Sequence, residues 1–215
     1  MEDKSKKRIE KRMNQFDAKA NGWDIEPIHW NRSKAIAERI LDYLPENQTI
    51  HALEYGAGTG ILSFMLSERL SKITLMDSSS EMVKVINEKI QNAGVSHLEA
   101  FQYDLEKEEY TLKTFDLIYT QMVMHHMQNP EQIYSDFYKL LNPDGVLAVA
   151  DLFLEDGSFH GEMKNVHPGF DPEAIKQQLL EIGFIDISIQ PCFVMKKSSN
   201  GSLREYPVFL IFARK

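Results

Sequence analysis

The first candidate for chemistry is a short glycine-rich stretch. It contains Glu54, Gly56, Gly58 and Gly60. An apolar run over residues 50–55 leads into it and a helix-compatible run over 61–70 follows, so the local order is strand, turn and helix. Glycine lets the main chain approach a ligand closely, and the N-terminus of the following helix offers free N–H groups and a partial positive charge. The stretch therefore predicts a nucleotide-like ligand at residues 54–60; the alternative is a tight turn that binds nothing.

The residues around the glycines distinguish two ligand classes. A dinucleotide fingerprint has the spacing G-x-G-x-x-G, and Ile61 occupies the position of its third glycine. A carboxylate at Glu54 would repel a pyrophosphate but would attract the ammonium group of an amino acid. Asp77 follows the first glycine by about 20 residues, the distance that suits an acceptor for ribose hydroxyls. These features favour S-adenosylmethionine, which has a ribose, an ammonium and a sulfonium but no phosphate, over a nicotinamide dinucleotide.

Strands and helices are predicted to alternate along the chain, which is typical of a mainly parallel sheet with helices on both faces. The predicted strands cover residues 50–55, 72–76, 98–103, 115–120 and 146–150. Two later extended runs, 184–195 and 206–213, are predicted to be joined by a hairpin turn at 196–201. A first helix is predicted at 32–44, and a turn at 142–145.

Capping signals set the expected ends of the other helices. Ser78 with Glu81 has the spacing of a capping box, and Gly94 is expected to end the helix that starts there. Asn129-Pro130 and Asp171-Pro172 each combine a capping side chain with a proline suited to the first helical position.

Polar residues follow the predicted parallel strands at their carboxyl ends. They are the glycine stretch, Asp77, Asp104, Gln121 and Asp151. Because the carboxyl ends of parallel strands meet at one edge of a sheet, where ligands of such folds bind, we expect these side chains to surround one ligand.

Histidines are the candidates for acid–base chemistry at the same edge. They are His125, His126, His160 and His167. The first two follow the fourth predicted strand, and the other two lie in a long loop at 154–170 that is expected to close over the edge. Each could line an acceptor site or act as a general base, as could Asp151, and the alternative is a structural histidine bonded to the backbone. No metal site is expected, since cysteine partners and an H-x-x-x-H spacing are absent.

Residues 1–30 form a predicted helical or lid segment ahead of a single domain at 31–215. Residues 1–12 are rich in basic side chains, which indicates a solvated face; the alternative is a basic arm for RNA or a membrane surface. Phe16 and Trp23 could close over the ligand or simply pack on the domain.

Composition limits the class of protein. A length of 215 residues suits one α/β domain, and a net charge of −8 argues against nucleic acid as the main partner. No apolar run approaches the about 20 residues that a membrane span needs. The charged start lacks the apolar core of a secretory signal, and the single cysteine, Cys192, cannot form an internal disulfide. A cytoplasmic protein is expected, as a monomer or a homodimer.

The chain resembles the class I S-adenosylmethionine-dependent methyltransferases and is similar to their ubiquinone/menaquinone-biosynthesis-type small-molecule branch. The matching stretches are residues 53–60, 75–79, 103–105, 115–119 and 140–145. Tyr55 departs from the pattern, because a small or acidic residue is more usual before the first glycine. The resemblance implies a Rossmann-like α/β fold with a seven-stranded, mainly parallel sheet, helices on both faces and a C-terminal antiparallel strand pair.

The resemblance also implies roles for individual residues. The implied cofactor-binding residues are Glu54, Gly56, Gly58, Gly60, Asp77, Ser78, Met82, Asp104, Leu105 and Gln121. The first four and Gln121 would surround the methionine portion of S-adenosylmethionine, Asp77 would hold the ribose hydroxyls, and the remaining four would lie around the adenine.

The expected function is transfer of a methyl group from S-adenosylmethionine to a small-molecule acceptor. Such a transfer is an in-line displacement at carbon, so holding the reactants close and aligned can supply much of the acceleration. One rival is a module that binds S-adenosylmethionine or a partner without catalysis. The other, a nicotinamide-dependent oxidoreductase, is disfavoured by Ile61 and Glu54.

Overall fold

The structure, a computed structural model, describes residue 14 and residues 16–46, 48–161, 166–199 and 202–215. Its strands are β1 His51–Tyr55, β2 Lys72–Asp77, β3 Leu98–Gln102, β4 Phe115–Gln121, β5 Leu141–Leu152, β6 Ile185–Ser199 and β7 Ser202–Arg214. They form one seven-stranded sheet in the order β3-β2-β1-β4-β5-β7-β6. Strands β1 to β5 are parallel, and β7 runs antiparallel between β5 and β6. The predicted sheet and its antiparallel C-terminal pair are confirmed.

Helices cover both faces of the sheet. They are α1 Pro27–Tyr43, α2 Ile61–Leu66, α3 Ser80–Ala93, α4 Pro130–Leu140 and α5 Pro172–Ile182, with 3-10 helices at Ala20–Ile25 and Met124–His126. Apolar residues of α1, α2 and α3 pack in the same core layer as Ala52, and those of α4 and α5 pack in the same layer as Leu53. Neighbouring residues of a strand point to opposite faces, so the central strands are buried on both sides and read as continuous apolar runs.

Most of the predicted helix ends are confirmed. The Asn129 side chain accepts a hydrogen bond from the Gln132 N–H, and the Asp171 side chain accepts one from the Glu173 N–H. Gly94 ends α3 in the left-handed conformation, with φ of 64°.

The start of α3 differs from the prediction by one residue. The capping side chain is Ser79 and not Ser78, and its Oγ accepts a hydrogen bond from the Met82 N–H at 3.1 Å. The cause lies at the last residue of β2, where the Asp77 carboxylate accepts the Ser79 N–H at 2.8 Å and holds Ser79 in the capping position.

The first two helices also differ in length from the prediction. Helix α1 begins at Pro27 rather than at 32, because Pro27 occupies its first turn after the extended Glu26. It therefore crosses residue 30, and the division of the chain there stays a prediction. Helix α2 ends at Leu66 instead of continuing to 70. After Leu66 the Arg69 N–H donates to the Leu66 carbonyl, which tightens the chain into a turn.

The C-terminal hairpin is longer than predicted. Lys196 pairs with Glu205 across the two strands, with 3.0 Å between their charged atoms, so most of the predicted turn at 196–201 is strand. Residues 200–201, like the basic start over 1–12, lie outside the described residues. The predicted turn at 142–145 is an irregularity within β5, where Asp144 has a φ of 64°. In the described ranges, no helix combines the length and apolarity required to cross a membrane.

Candidate functional site

A cavity of about 740 Å³ lies at the carboxyl ends of β1, β2 and β4. The predicted site residues that line it are Gly56, Gly58, Asp77, Ser78, Met82, Gln121, His125, His126 and His160. The predicted site residues outside its lining are Glu54, Gly60, Asp104, Leu105 and His167. Residues from the N-terminal segment and from β6 complete the wall. Of the polar strand ends, the glycine turn, Asp77 and Gln121 line this cavity, whereas Asp104 and Asp151 do not.

The glycine turn needs glycine for space as well as for conformation. Gly56 has a φ of 69°, and a Cβ there would lie 2.3 Å from Cγ2 of Val123. Gly58 has a φ of 56°, and its N–H donates to Oδ2 of Asp77 at 2.8 Å. Asp77 thus ties the turn after β1 to the end of β2. Its carboxylate lies in the cavity wall, where each oxygen can accept more than one hydrogen bond.

Glu54 is fully buried beneath this turn. The Ser63 hydroxyl donates to its Oε2, and the Tyr119 hydroxyl lies 2.6 Å from the same Ser63 oxygen. Burial raises the pKa of Glu54 to about 8. Its other oxygen, Oε1, is buried and forms no hydrogen bond with a described residue. Glu54, although it lies outside the cavity lining, therefore has an acceptor that a cationic group could satisfy.

Arg32 is a site residue that sequence reasoning missed. It lies in the cavity wall on α1, it is 5% exposed, and its Nε lies 3.4 Å from Oε1 of Gln121. Gln121 also bonds to the Ser33 hydroxyl at 3.1 Å. Burial lowers the pKa of Arg32 to about 10. A signal was available, because Arg32 precedes Ile36 by one helical turn and so occupies the buried face of a helix.

The adenine-side predictions divide between cavity and core. Ser78 and Met82 line the cavity, Met82 as a buried residue of α3. Asp104 and Leu105 follow β3, and both are buried. The Asp104 Oδ1 accepts the Glu106 N–H at 3.1 Å, and Leu105 packs in the core layer that contains Leu53. Their roles at an adenine stay predictions.

Three histidines gather at the other end of the cavity. The ring centroid of His125 lies 4.1 Å from that of His126 and 4.9 Å from that of His160. The His125 Nδ1 lies 2.6 Å from Oδ1 of the buried Asp151, which is the second-last residue of β5. Burial, followed by the proximity of His125 and Lys197, lowers the pKa of His160 to about 3.

His167 lies apart from the other three histidines. Its Nε2 is 3.0 Å from the Met127 carbonyl, its N–H donates to the His125 carbonyl at 2.8 Å, and its ring stacks on Phe170. It does not line the cavity. These contacts correspond to the alternative stated above, a structural histidine that bonds to the backbone.

The N-terminal segment closes one side of the cavity. Phe16 and Trp23 line it, with their ring centroids 6.2 Å apart. Asp24 anchors the segment, since its carboxylate lies 2.8 Å from the Lys89 ammonium and accepts the Thr59 hydroxyl at 2.5 Å. The aromatic residues were predicted as lid candidates, whereas the anchoring contacts were not predicted.

Comparison with known proteins covers the glycine turn and the strands around it. Residues 53–149 match the family model described as a methyltransferase domain. An uncharacterized methyltransferase of Schizosaccharomyces pombe is 31% identical over 142 residues, which is 57% of this chain and 49% of that protein. A malonyl-[acyl-carrier protein] O-methyltransferase of Marinomonas sp. is 27% identical over 139 residues, which is 64% of this chain and 50% of that protein. The chain thus spans about half the length of these curated relatives.

Solved structures share the fold over a larger part of the chain. The N-methyltransferase NodS of Bradyrhizobium japonicum, in complex with S-adenosyl-L-homocysteine, matches with a TM-score of 0.71 and 16% identity. The match covers 94% of this chain and 97% of that chain. The predicted Rossmann-like fold class is confirmed.

Proposed function

We propose that this chain, which carries a class I S-adenosylmethionine-dependent methyltransferase domain, transfers the cofactor's methyl group to a small-molecule acceptor. The observation that carries the proposal is a single cavity that joins the glycine turn after β1 to the histidines after β4. One end offers binding groups for a nucleoside and an amino acid, and the other end offers polar groups for an acceptor. Donor and acceptor can therefore meet within about 740 Å³.

The residues present fit the cofactor. The buried Oε1 of Glu54, which bonds to no described residue, suits an ammonium group, and Arg32 suits a carboxylate. The Asp77 carboxylate in the cavity wall suits ribose hydroxyls. When bound, S-adenosylmethionine supplies a methyl group made electrophilic by its sulfonium. The finer assignment of Ser78, Met82, Asp104 and Leu105 to the adenine belongs to the same proposal.

The residues of the chain position the acceptor and take its proton. Asp151 fixes the ring of His125 through Nδ1, which leaves Nε2 as the atom available for proton transfer. His126 and His160 line the same end of the cavity. Phe16 and Trp23, which also line the cavity, restrict the entry of water. We assign His167 to the support of this region through its backbone contacts.

The class of acceptor follows from size and charge. A cavity of this volume holds a small molecule beside the cofactor, and a net charge of −8 disfavours nucleic acid. Resemblance to the ubiquinone/menaquinone-type branch supports the same class. A cytoplasmic location, which the single cysteine Cys192 supports, and a monomeric or homodimeric state complete the proposal.

Calorimetric titration tests the cofactor. S-adenosylmethionine and S-adenosylhomocysteine should bind the wild type, NADH should not, and Asp77→Ala should weaken binding at least about tenfold, because it removes a charged acceptor for two ribose hydroxyls. Asp42→Ala, at an exposed position of α1, is the matched control. Binding of NADH alone would overturn the assignment of the cofactor.

Turnover on acceptor panels tests the rest. With labelled S-adenosylmethionine, methyl transfer should occur to members of a small-molecule panel and not to bulk RNA or protein. Transfer to the macromolecules alone would contradict the proposed acceptor class. Cofactor binding without any transfer would favour a non-catalytic module.

A further inference from the structure

Three imidazole rings converge where no metal site was expected from the sequence. One candidate ligand atom from each of His125, His126 and His160 lies within 4.8 Å of the other two. The sequence separates His160 from the pair by more than thirty positions, and the loop after β5 brings it back. The rings of His126 and His160 also approach, with centroids 5.0 Å apart.

Asp151 orients His125 as a carboxylate orients a histidine that binds a metal. The carboxylate accepts hydrogen bonds from the Leu152 N–H at 2.7 Å and the His125 N–H at 3.2 Å. Because both oxygens of the Asp151 carboxylate already act as acceptors for these backbone N–H groups, we assign Nδ1 of His125 as the donor in the 2.6 Å contact. In the tautomer with its proton on Nδ1, the lone pair of the ring is on Nε2. Metal-binding histidines almost always donate their other ring N–H to a carboxylate, carbonyl or water in this manner.

Two imidazole nitrogens of the cluster, one on His125 and one on His160, form no hydrogen bond with a described residue. His125 is 1% exposed, and its Nε2 forms no hydrogen bond within the part of the chain that the structure describes. The same holds for Nε2 of His160, a buried atom, among the described residues. Buried polar atoms are nearly always satisfied, and leaving one without a partner is unfavourable. A ligand that accepts electron pairs from several imidazoles at once would satisfy both.

We propose that His125, His126 and His160 form a binding site for one divalent transition-metal ion, with Asp151 as the residue that positions His125. Three nitrogen ligands favour Zn²⁺, Co²⁺, Ni²⁺ or Cu²⁺ over Mg²⁺ or Ca²⁺. Tetrahedral coordination at zinc–nitrogen distances of about 2.0–2.1 Å places ligand nitrogens about 3.3 Å apart, so the rings move inward by rotation of their side chains. His126 and His160 are only half-buried, which permits that movement.

The fourth coordination position faces the cavity, because all three histidines line it. Metal binding itself does not depend on methyl transfer. If the proposed function holds, on which this step rests, a metal bound through Nε2 of His125 would take the place of that atom as the proton acceptor. An acceptor hydroxyl or thiol at the fourth position would then release its proton to solvent more readily, since a bound cation lowers the pKa of a coordinated group. The metal site would then select acceptors that have such a group.

Cobalt titration tests the site. Tag-free protein, stripped of metal with a chelator, is titrated with Co²⁺ in the absence of cofactor, and visible absorption reports the coordination geometry. One Co²⁺ per chain with the intense bands of a tetrahedral site is expected, and Zn²⁺ should displace it. His160→Ala and His126→Ala should each weaken binding at least about tenfold, and Asp151→Asn about 10–100-fold. His51→Ala, an exposed histidine outside the cluster, should bind as the wild type does.

Circular dichroism of each variant separates loss of metal from loss of fold, and His160 lies in a loop where truncation leaves the core intact. Equal affinity in the wild type and in the folded His160→Ala variant would overturn the proposal, as would a weak six-coordinate spectrum that the variants leave unchanged. Because the titration measures no turnover and contains no cofactor, failure of metal binding is distinguished from failure of methyl transfer.

Discussion

Glu54 shows how one residue serves a site at the expense of stability. It interrupts the buried run of β1 after His51, which is otherwise apolar, and the Ser63 hydroxyl is the donor to its Oε2. Burial raises its pKa from 4.5 to about 8. A carboxyl group kept neutral in the folded chain can ionise when a cationic ligand binds. Glu54 therefore lowers the stability of the ligand-free protein and contributes favourably to the ligand-bound state.

The raised pKa of Glu54 predicts a pH dependence of stability. Between about pH 4.5 and 8 the folded protein retains a proton that the unfolded chain has released, so the contribution of this residue to stability falls as pH rises. The Glu54→Gln variant lacks this loss. The free energy of unfolding of this variant, relative to that of the wild type, should increase by about 1.4 kcal/mol for each unit by which pH rises within that window.

Urea unfolding of both proteins without cofactor, at a series of pH values, measures this difference. Glu88→Gln, at an exposed position of α3, controls for the removal of one carboxyl group. A difference between Glu54→Gln and the wild type that stays constant with pH would show that Glu54 is ionised in the folded chain.

At the scale of elements, the N-terminal segment is held by contacts rather than by a sheet or a long helix. Its 3-10 helix at Ala20–Ile25 is attached to α3 and the glycine turn through Asp24, Lys89 and Thr59. The Lys89 ammonium also donates to the Thr59 carbonyl at 2.8 Å. A segment that is held by such contacts can open when a ligand enters or leaves, and it can remain closed while the ligand is bound.

Removing the anchor should loosen the ligand. Lys89→Gln should raise the dissociation constant of S-adenosylhomocysteine about two- to fivefold, mainly through faster dissociation, because partly exposed ion pairs are worth about 1 kcal/mol or less. Lys84→Gln is the matched control on the same helix, where the pair with Glu81 has a longer distance of 3.9 Å. Stopped-flow dissociation measures both, and equal rates in the two variants would argue against the anchoring role.

Elements were predictable where the information is local. The alternation of strands and helices, the caps at Asn129 and Asp171 and the stop at Gly94 depend on residues within a few positions, and the structure confirms them. The shift of the α3 cap to Ser79 depends on the Asp77 carboxylate, and two neighbouring serines give the sequence no means to choose.

The site was predictable only where it follows the sheet. Gly58, Asp77 and Gln121 reach the cavity because each stands at the end of a parallel strand. The contacts of Asp17 with Ser79 and of Arg32 with Gln121 join residues 62 and 89 positions apart. Pairing over such separations is set by how helices pack on the sheet, which no local pattern specifies.

At the scale of the whole molecule, the cavity lies where several parts of the chain converge. Its wall draws on the N-terminal segment, three strand ends, the loop after β5 and β6. A ligand bound in this cavity would contact the N-terminal segment, the strand ends and the loop after β5 at the same time. Ligand binding should therefore stabilise the fold as a whole and not only the glycine turn.

Thermal unfolding checks that expectation. At a concentration one hundred times its dissociation constant, S-adenosylhomocysteine should add about 2.7 kcal/mol of stability and raise the midpoint by about 5–10 °C in a chain of this size. Asp77→Ala should lose most of the shift at the same concentration, and NADH should produce none. A shift of equal size in Asp77→Ala would mean that the ligand binds elsewhere.

The order of the last strands has a consequence for synthesis of the protein on the ribosome. Strand β6 is translated before β7, yet β7 lies between it and the rest of the sheet. While the nascent chain ends at β6, the hydrogen-bonding edge of β5 has no partner strand, and β6 has no strand to pair with. An unpaired edge is a template for association with other chains. Until β7 has paired with it, this edge of β5 is therefore the part of the sheet most open to association with other chains.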